Sequence, residues 1–97
     1  MKRRKLVWTE RAEADLAGIG DYIAADDPVA ARRWVRELMA TARAAARIPF
    51  GGRRVPELRR EDVREVFLRQ YRIVYRVTDR HCEVLTVFEG HKLLRDL

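Results

Sequence analysis

Apolar residues recur along this chain with two different periods, and the change from one to the other falls near residue 50. A short strand-like run over residues 3–8 ends in Leu6-Val7-Trp8. Ala12, Leu16, Ile19 and Ile23 then follow at helical spacing. Thr9 stands where an N-cap is needed, and Glu10 and Glu13 sit at the positive end of the predicted helix. Gly18 and Gly20 weaken that helix by about 1 kcal/mol each relative to alanine, so packing must supply the difference. The helix is expected to stop near Ala25. Asp26-Asp27-Pro28 restarts the pattern, with Asp27 as cap and Pro28 in the first helical position, where its missing N–H costs nothing. The second predicted helix runs to about Arg47, with Trp34, Leu38, Ala42 and Ala45 as its buried stripe and Ala31 and Val35 beside it. Pro49 and Gly51-Gly52 end it. Two helices with so short a link predict an αα-hairpin whose alanines permit close approach.

In the second half the period falls to two. Val63 to Leu68 is strand-like, and Gln70 sits in a tight turn. Tyr71, Ile73, Tyr75 and Val77 then share one face of a strand, with Arg72, Val74 and Arg76 on the other. Thr78 to His81 turns the chain into a third strand over Glu83 to Glu89, and residues 53–55 can add a short extra one. Three strands with short connections predict an antiparallel meander, which the first strand must join because a lone strand is not stable. The expected architecture is α+β in the order β-α-α-β-β-β, with the helical hairpin on one face of the sheet. The opposite face, carrying Arg72 and Arg76, is expected to be wet. Trp8, Trp34, Tyr22 and Phe67 are assigned to the core.

Composition narrows the picture. A length of 97 residues fits one domain over residues 1–97. The lone Cys82 excludes an internal disulfide and reads as a small strand residue. No apolar stretch approaches the roughly 18 to 20 residues needed to cross a bilayer, and Leu6-Val7-Trp8 is too short for a signal-peptide core. A cytoplasmic protein without a membrane partner is the expectation. The net charge is +6, and all but three of the 21 basic residues are arginine. That charge is uneven: residues 9–27 hold six acids and one base, whereas residues 28–47 hold five bases and one acid. Such asymmetry suits an anionic partner as well as it suits an ordinary solvated surface.

Three stretches, with Pro49-Phe50-Gly51, resemble the RelE/ParE superfamily of type II toxin–antitoxin systems. They are Ala14-Asp15-Leu16 through Asp21-Tyr22-Ile23-Ala24 with Asp27-Pro28 and Ala30-Ala31; Arg64-Glu65 with Tyr71-Arg72-Ile73-Val74-Tyr75-Arg76-Val77; and Val87-Phe88-Glu89-Gly90-His91-Lys92. The alternating strand from Tyr71 is the most specific of these. The resemblance implies the same fold, a cognate antitoxin as partner in a hetero-oligomer, growth arrest as the outcome, and no metal or organic cofactor. It also implies one of two targets. ParE-like members poison DNA gyrase, and RelE-like members cleave mRNA on the ribosome. The stretch from Asp21 to Ala31 and the helix hairpin look ParE-like, which favours a gyrase inhibitor that is not an enzyme.

The alternative, a ribosome-dependent endoribonuclease, needs a base for the 2′-hydroxyl, a phosphate clamp and an acid for the leaving oxygen. By resemblance these would be Glu57, after Pro56, Arg72 and His91. Lys92 stands where those relatives carry an aromatic residue, which weakens the nuclease reading. On either reading Arg64, Arg72, Arg76 and Lys92 are candidates for contact with target or antitoxin.

Overall fold

The computed structural model describes residues 4–90. Strand β1 (Lys5–Trp8) leads into helix α1 (Glu10–Ala24) through Thr9, whose hydroxyl accepts from the Ala12 N–H and donates to the Val84 carbonyl at 2.8 Å. The cap therefore starts the helix and ties it to the sheet. Asp27 caps helix α2 (Pro28–Arg47), accepting from the Val29 and Ala30 N–H groups at 3.1 and 3.0 Å, with Pro28 in the first turn. A 3₁₀ turn over Pro49–Gly51 connects to β2 (Arg53–Arg54), followed by β3 (Val63–Leu68), β4 (Tyr71–Val77) and β5 (His81–Glu89).

The five strands form one sheet in the order β1-β5-β4-β3-β2. The meander β3-β4-β5 is antiparallel, as expected, and β2 extends it at the edge. β1 joins the sheet but runs parallel to β5, so the sheet is mixed and not purely antiparallel. The direction of β1 follows from Thr9: its N–H and its hydroxyl both bond to Val84 of β5, which fixes where the chain must leave the sheet for α1. Further along α1, Asp15 accepts from the Thr86 hydroxyl at 2.5 Å and the Val87 N–H at 3.2 Å. These contacts anchor the helix where the β4–β5 register shifts, opposite Val74 and Tyr75.

The main core lies between the hairpin and one sheet face: Ala12, Leu38 and Ala42 meet Tyr71, Ile73, Val84 and Val87. Trp34 meets Tyr71 edge-on at 5.4 Å between ring centres, a favoured aromatic geometry. Trp8 and Trp34 pack against this core as expected. Tyr22 does not: it is 79% exposed. Phe67 is also largely exposed, because it stands on the opposite sheet face, stacked on arginines.

That opposite face differs from the expectation. It is not wet throughout. Residues 55–62 fold over it, and Val55 forms a second small core with Val63 and Val74, flanked by Leu58, Leu85 and Phe88. Val74, between Arg72 and Arg76 on this face, supplies the apolar ground that the segment covers. Arg72 is consequently 5% exposed. Arg76 keeps about half its side chain in solvent and pairs with Glu83 at 2.8 Å.

Close packing around Tyr75 makes two measurable demands. A Cβ at Gly52 would lie 2.2 Å from Tyr75 Oη and 3.0 Å from the Glu65 carbonyl. Gly52→Ala is therefore expected to cost about 1–3 kcal/mol of overpacking strain, read by denaturant unfolding; wild-type stability would contradict this packing. Burial pushes the Tyr75 hydroxyl from 10.0 up to about 12 and the Cys82 thiol from 9.0 up to about 11. Both groups hold their protons more tightly folded than unfolded, so this stability is complete below pH 9 and is lost as pH rises through the folded values. Unfolding free energy should decline between about pH 9 and 12; a flat profile there would contradict the burial of both groups.

Candidate functional site

The covered sheet face holds a cluster of charge built from strand register. Arg53 of β2 lies directly opposite Glu65 of β3, and Arg72 of β4 lies between Phe67 of β3 and Phe88 of β5. Glu65 is one residue pair away from Arg72 on the same face, so its carboxylate reaches both arginines. One Glu65 oxygen accepts from Arg53 Nε at 2.7 Å and lies 2.5 Å from Arg53 Nη2 as an ion pair. The other accepts from Arg72 Nε at 3.0 Å and from Arg72 Nη2. Glu57 reaches in from the covering segment and takes the end of the Arg72 fork, each oxygen 3.1 Å from a different Nη. The guanidinium lies 5.0 Å from the Phe88 ring centre and 6.0 Å from that of Phe67, within cation–π range.

A buried guanidinium is stable only when its donors and charge are met. Burial opposes the Arg72 charge, but the hydrogen bonds to Glu57 and Glu65 outweigh it and hold the guanidinium above its ordinary pKa. No buried side-chain nitrogen or oxygen among the described residues lacks a hydrogen bond. Among the described residues, two arginines face two carboxylates here, so their charges balance. Gly90 completes it sterically: a Cβ there would approach Arg72 Cγ, Phe67 Cε2 and the Gln70 carbonyl to 3.2 Å each.

The residues selected from the sequence fall into different environments. Glu57 and Arg72 are in direct contact, whereas Arg72 is buried instead of facing solvent. Arg64 is mostly buried and bonds to main chain, reaching the Gly52 carbonyl at 3.0 Å and the Glu61 carbonyl at 2.9 Å. Arg76 is paired with Glu83. His91 and Lys92 lie outside the described residues. Sequence reading did not select Glu65 or Arg53. The available signal was the tight Arg69-Gln70 turn, which sets the β3–β4 register and thereby puts Glu65 and Arg72 on one face. Among the described residues no group of three or more His, Cys, Asp and Glu side chains could hold a metal ion, and no helix is long and apolar enough to cross a membrane.

The model of the family described as the ParE toxin of the type II toxin–antitoxin system parDE matches residues 6–94. The chain is 39% identical over 94 residues to a protein of Sinorhizobium fredii described as putative toxin Y4kP, spanning 95% of this chain and 94% of that one. It is 35% identical over 89 residues to Toxin RelE2 of Caulobacter vibrioides, spanning 92% and 98% of the two chains. Its fold matches a chain of the chromosomal ParDE toxin–antitoxin system from P. aeruginosa with a TM-score of 0.75 at 23% identity, covering 90% of this chain and 96% of that one.

The cluster separates a structural carboxylate from a latch. Glu65 is fully buried and serves two arginines, so Glu65→Ala leaves an uncompensated charge inside and should cost about 3–5 kcal/mol. Glu57 is partly exposed, so water can reach the end of the Arg72 fork when it is removed, and Glu57→Ala should cost less, about 1–3 kcal/mol. Urea unfolding of both variants checks the order, and equal losses would contradict the assignment.

Proposed function

We propose that this chain, which belongs to the ParE toxin family of type II toxin–antitoxin systems, acts by binding DNA gyrase and blocking it, and is released from that role by a cognate antitoxin. The observation that carries this reading is the state of the Glu57–Arg72 pair. Cleavage through a 2′-hydroxyl needs a carboxylate free to take a proton and a guanidinium free to hold the phosphate. Here the two groups are engaged with each other, and Glu65 and the two phenylalanines close the remaining sides of Arg72. Such a cluster orders a surface; it does not present a reactive one. Growth arrest then follows from occupation of an essential enzyme, with affinity concentrated in a few arginine and aromatic anchors.

The antitoxin needs a separate surface. The outer seam between α1 and α2 offers one: Leu16, Ala17, Gly20, Val35 and Met39 line an apolar groove that continues past Ala24 and Ala31. α1 borders it with Glu13 and Asp21, and α2 borders it with Arg32 and Arg36. An amphipathic antitoxin segment with acidic side chains along the α2 wall suits this seam.

A second reading, ribosome-dependent mRNA cleavage by Glu57, Arg72 and His91, draws on the hydrogen-bonding contact of Glu57 with Arg72 and on the similarity to a protein described as Toxin RelE2. There the substrate phosphate would have to displace Glu57 from the Arg72 fork.

Two assays on the purified protein divide the readings. Gyrase supercoiling of relaxed plasmid should fall at stoichiometric toxin and recover on adding antitoxin, while toeprints of translating ribosomes stay unchanged. Full supercoiling at excess toxin, with A-site cuts abolished by Glu57→Gln, would transfer the function to the nuclease. Association with the antitoxin should weaken as salt rises, since arginines border the seam; salt-independent affinity would point to a purely apolar contact.

A further inference from the structure

The turn after α2 exposes two large apolar side chains on an unusually well-held backbone. Ile48 is 71% exposed and Phe50 52% exposed. Isolated exposed apolar residues are ordinary on protein surfaces. These two differ because buried groups fix the turn that carries them. Pro49, between them, is buried, and its carbonyl accepts from the buried Tyr75 hydroxyl at 2.6 Å. The Gly51 N–H donates to the Ile48 carbonyl at 2.8 Å, and Arg64 Nη1 donates to the Phe50 and Gly52 carbonyls at 3.3 and 3.0 Å. Gly52 has no room for a side chain against Tyr75. The guanidinium groups of Arg4 and Arg64 lie 5.6 and 5.3 Å from the Phe50 ring centre.

We propose that the Ile48–Phe50 turn is the anchor by which this toxin engages its protein target, inserting both side chains into an apolar recess rimmed by carboxylates. The inference rests on the reading of the protein as a binding poison and adds the place on its surface where binding occurs. Shape selects the occupant. With both residues more than half exposed, the pair projects from the surface. A projecting pair is received by a recess in a folded protein, whereas an extended antitoxin segment is received by a groove such as the α1–α2 seam. Charge agrees. Arg4 and Arg64 lie against Phe50, Arg47 precedes Ile48 in the chain, and Glu61 is bonded to Arg54 and Arg64. The aliphatic Ile48, the more exposed of the two, favours a protein recess over stacked bases. Aromatic and arginine side chains presented together are the residues that dominate interface energies, and a preformed turn loses little entropy on binding.

The test uses the full chain with Ile48→Ser and Phe50→Ser combined. Half-inhibition of gyrase supercoiling should require at least about tenfold more of the variant than of wild type, as expected for loss of a central anchor. Antitoxin affinity should stay at its wild-type value, and the variant should remain folded with a modestly lower thermal midpoint, since two cation–π contacts to Phe50 are lost. Inhibition equal to wild type overturns the inference and leaves the gyrase reading standing. If wild type leaves gyrase untouched, the gyrase reading fails and growth arrest on expression decides. Arrest lost in the variant with antitoxin affinity retained keeps the anchor, for a different protein target; arrest retained overturns it. Loss of antitoxin affinity, a change in self-association, or loss of nucleic-acid binding without loss of inhibition each assigns the turn to another occupant and overturns the inference. Should the double variant unfold, Ile48→Ser alone, at the more exposed position, carries the same comparison.

Discussion

A carboxylate sealed inside a sheet face can persist only if positive charge is brought to it, and Glu65 imposes that condition on everything around it. Arg53 and Arg72 meet it from the strands on either side. Arg72 in turn requires a second carboxylate at its free end, which Glu57 provides from the covering segment. The segment over residues 55–62 is thereby held against the sheet by charge at Glu57 and by apolar contact at Val55 and Leu58. One buried charge thus fixes a strand edge, a loop and the aromatic pair beside it.

The consequence for function is a redistribution of the arginine surface. The sheet face that a simple alternation assigns to solvent is closed by the cluster, and positive charge is left available elsewhere: along α2, around the turn after it, and at the rim of the covering segment. These surfaces are separate from each other. The helix seam is long, apolar and bordered by opposite charges on its two walls. The turn is short, projecting and rigid. On the proposed reading, the seam receives the antitoxin and the turn engages the target, and neither surface competes directly for the chemistry of the other.

Much of the fold was legible in the chain. Thr9 and Asp27 announced both helix starts, and the Leu16-Ile19-Ile23 and Trp34-Leu38-Ala42 stripes announced the faces they bury. The alternation from Tyr71 to Val77 announced the strand at the centre of the meander. Less legible was anything that depends on two distant segments at once. The parallel direction of β1 is set by Thr9 reaching Val84, a contact between opposite ends of the chain. The burial of Arg72 is set by Glu57 and Glu65, and Glu65 within Val-Arg-Glu-Val reads as an ordinary solvent-facing acid until the hairpin register is known. Pairing Glu57 with Arg72 as candidates located part of the cluster, through resemblance; it did not reveal that the two would neutralise each other. Ile48 and Phe50 lie beside Pro49 and Gly51-Gly52, which end α2, and neither was selected as a site residue from the sequence.

The central claim is that Arg72 is a closed structural group and not an open phosphate clamp. The exchange rate of its Nε–H with water, followed by NMR on the intact protein with and without a short single-stranded RNA, tests it most directly. The account predicts a proton strongly protected from exchange, with a resonance unmoved by saturating RNA. A proton in fast exchange, or a resonance that shifts as RNA binds and Glu57 is released, would contradict it.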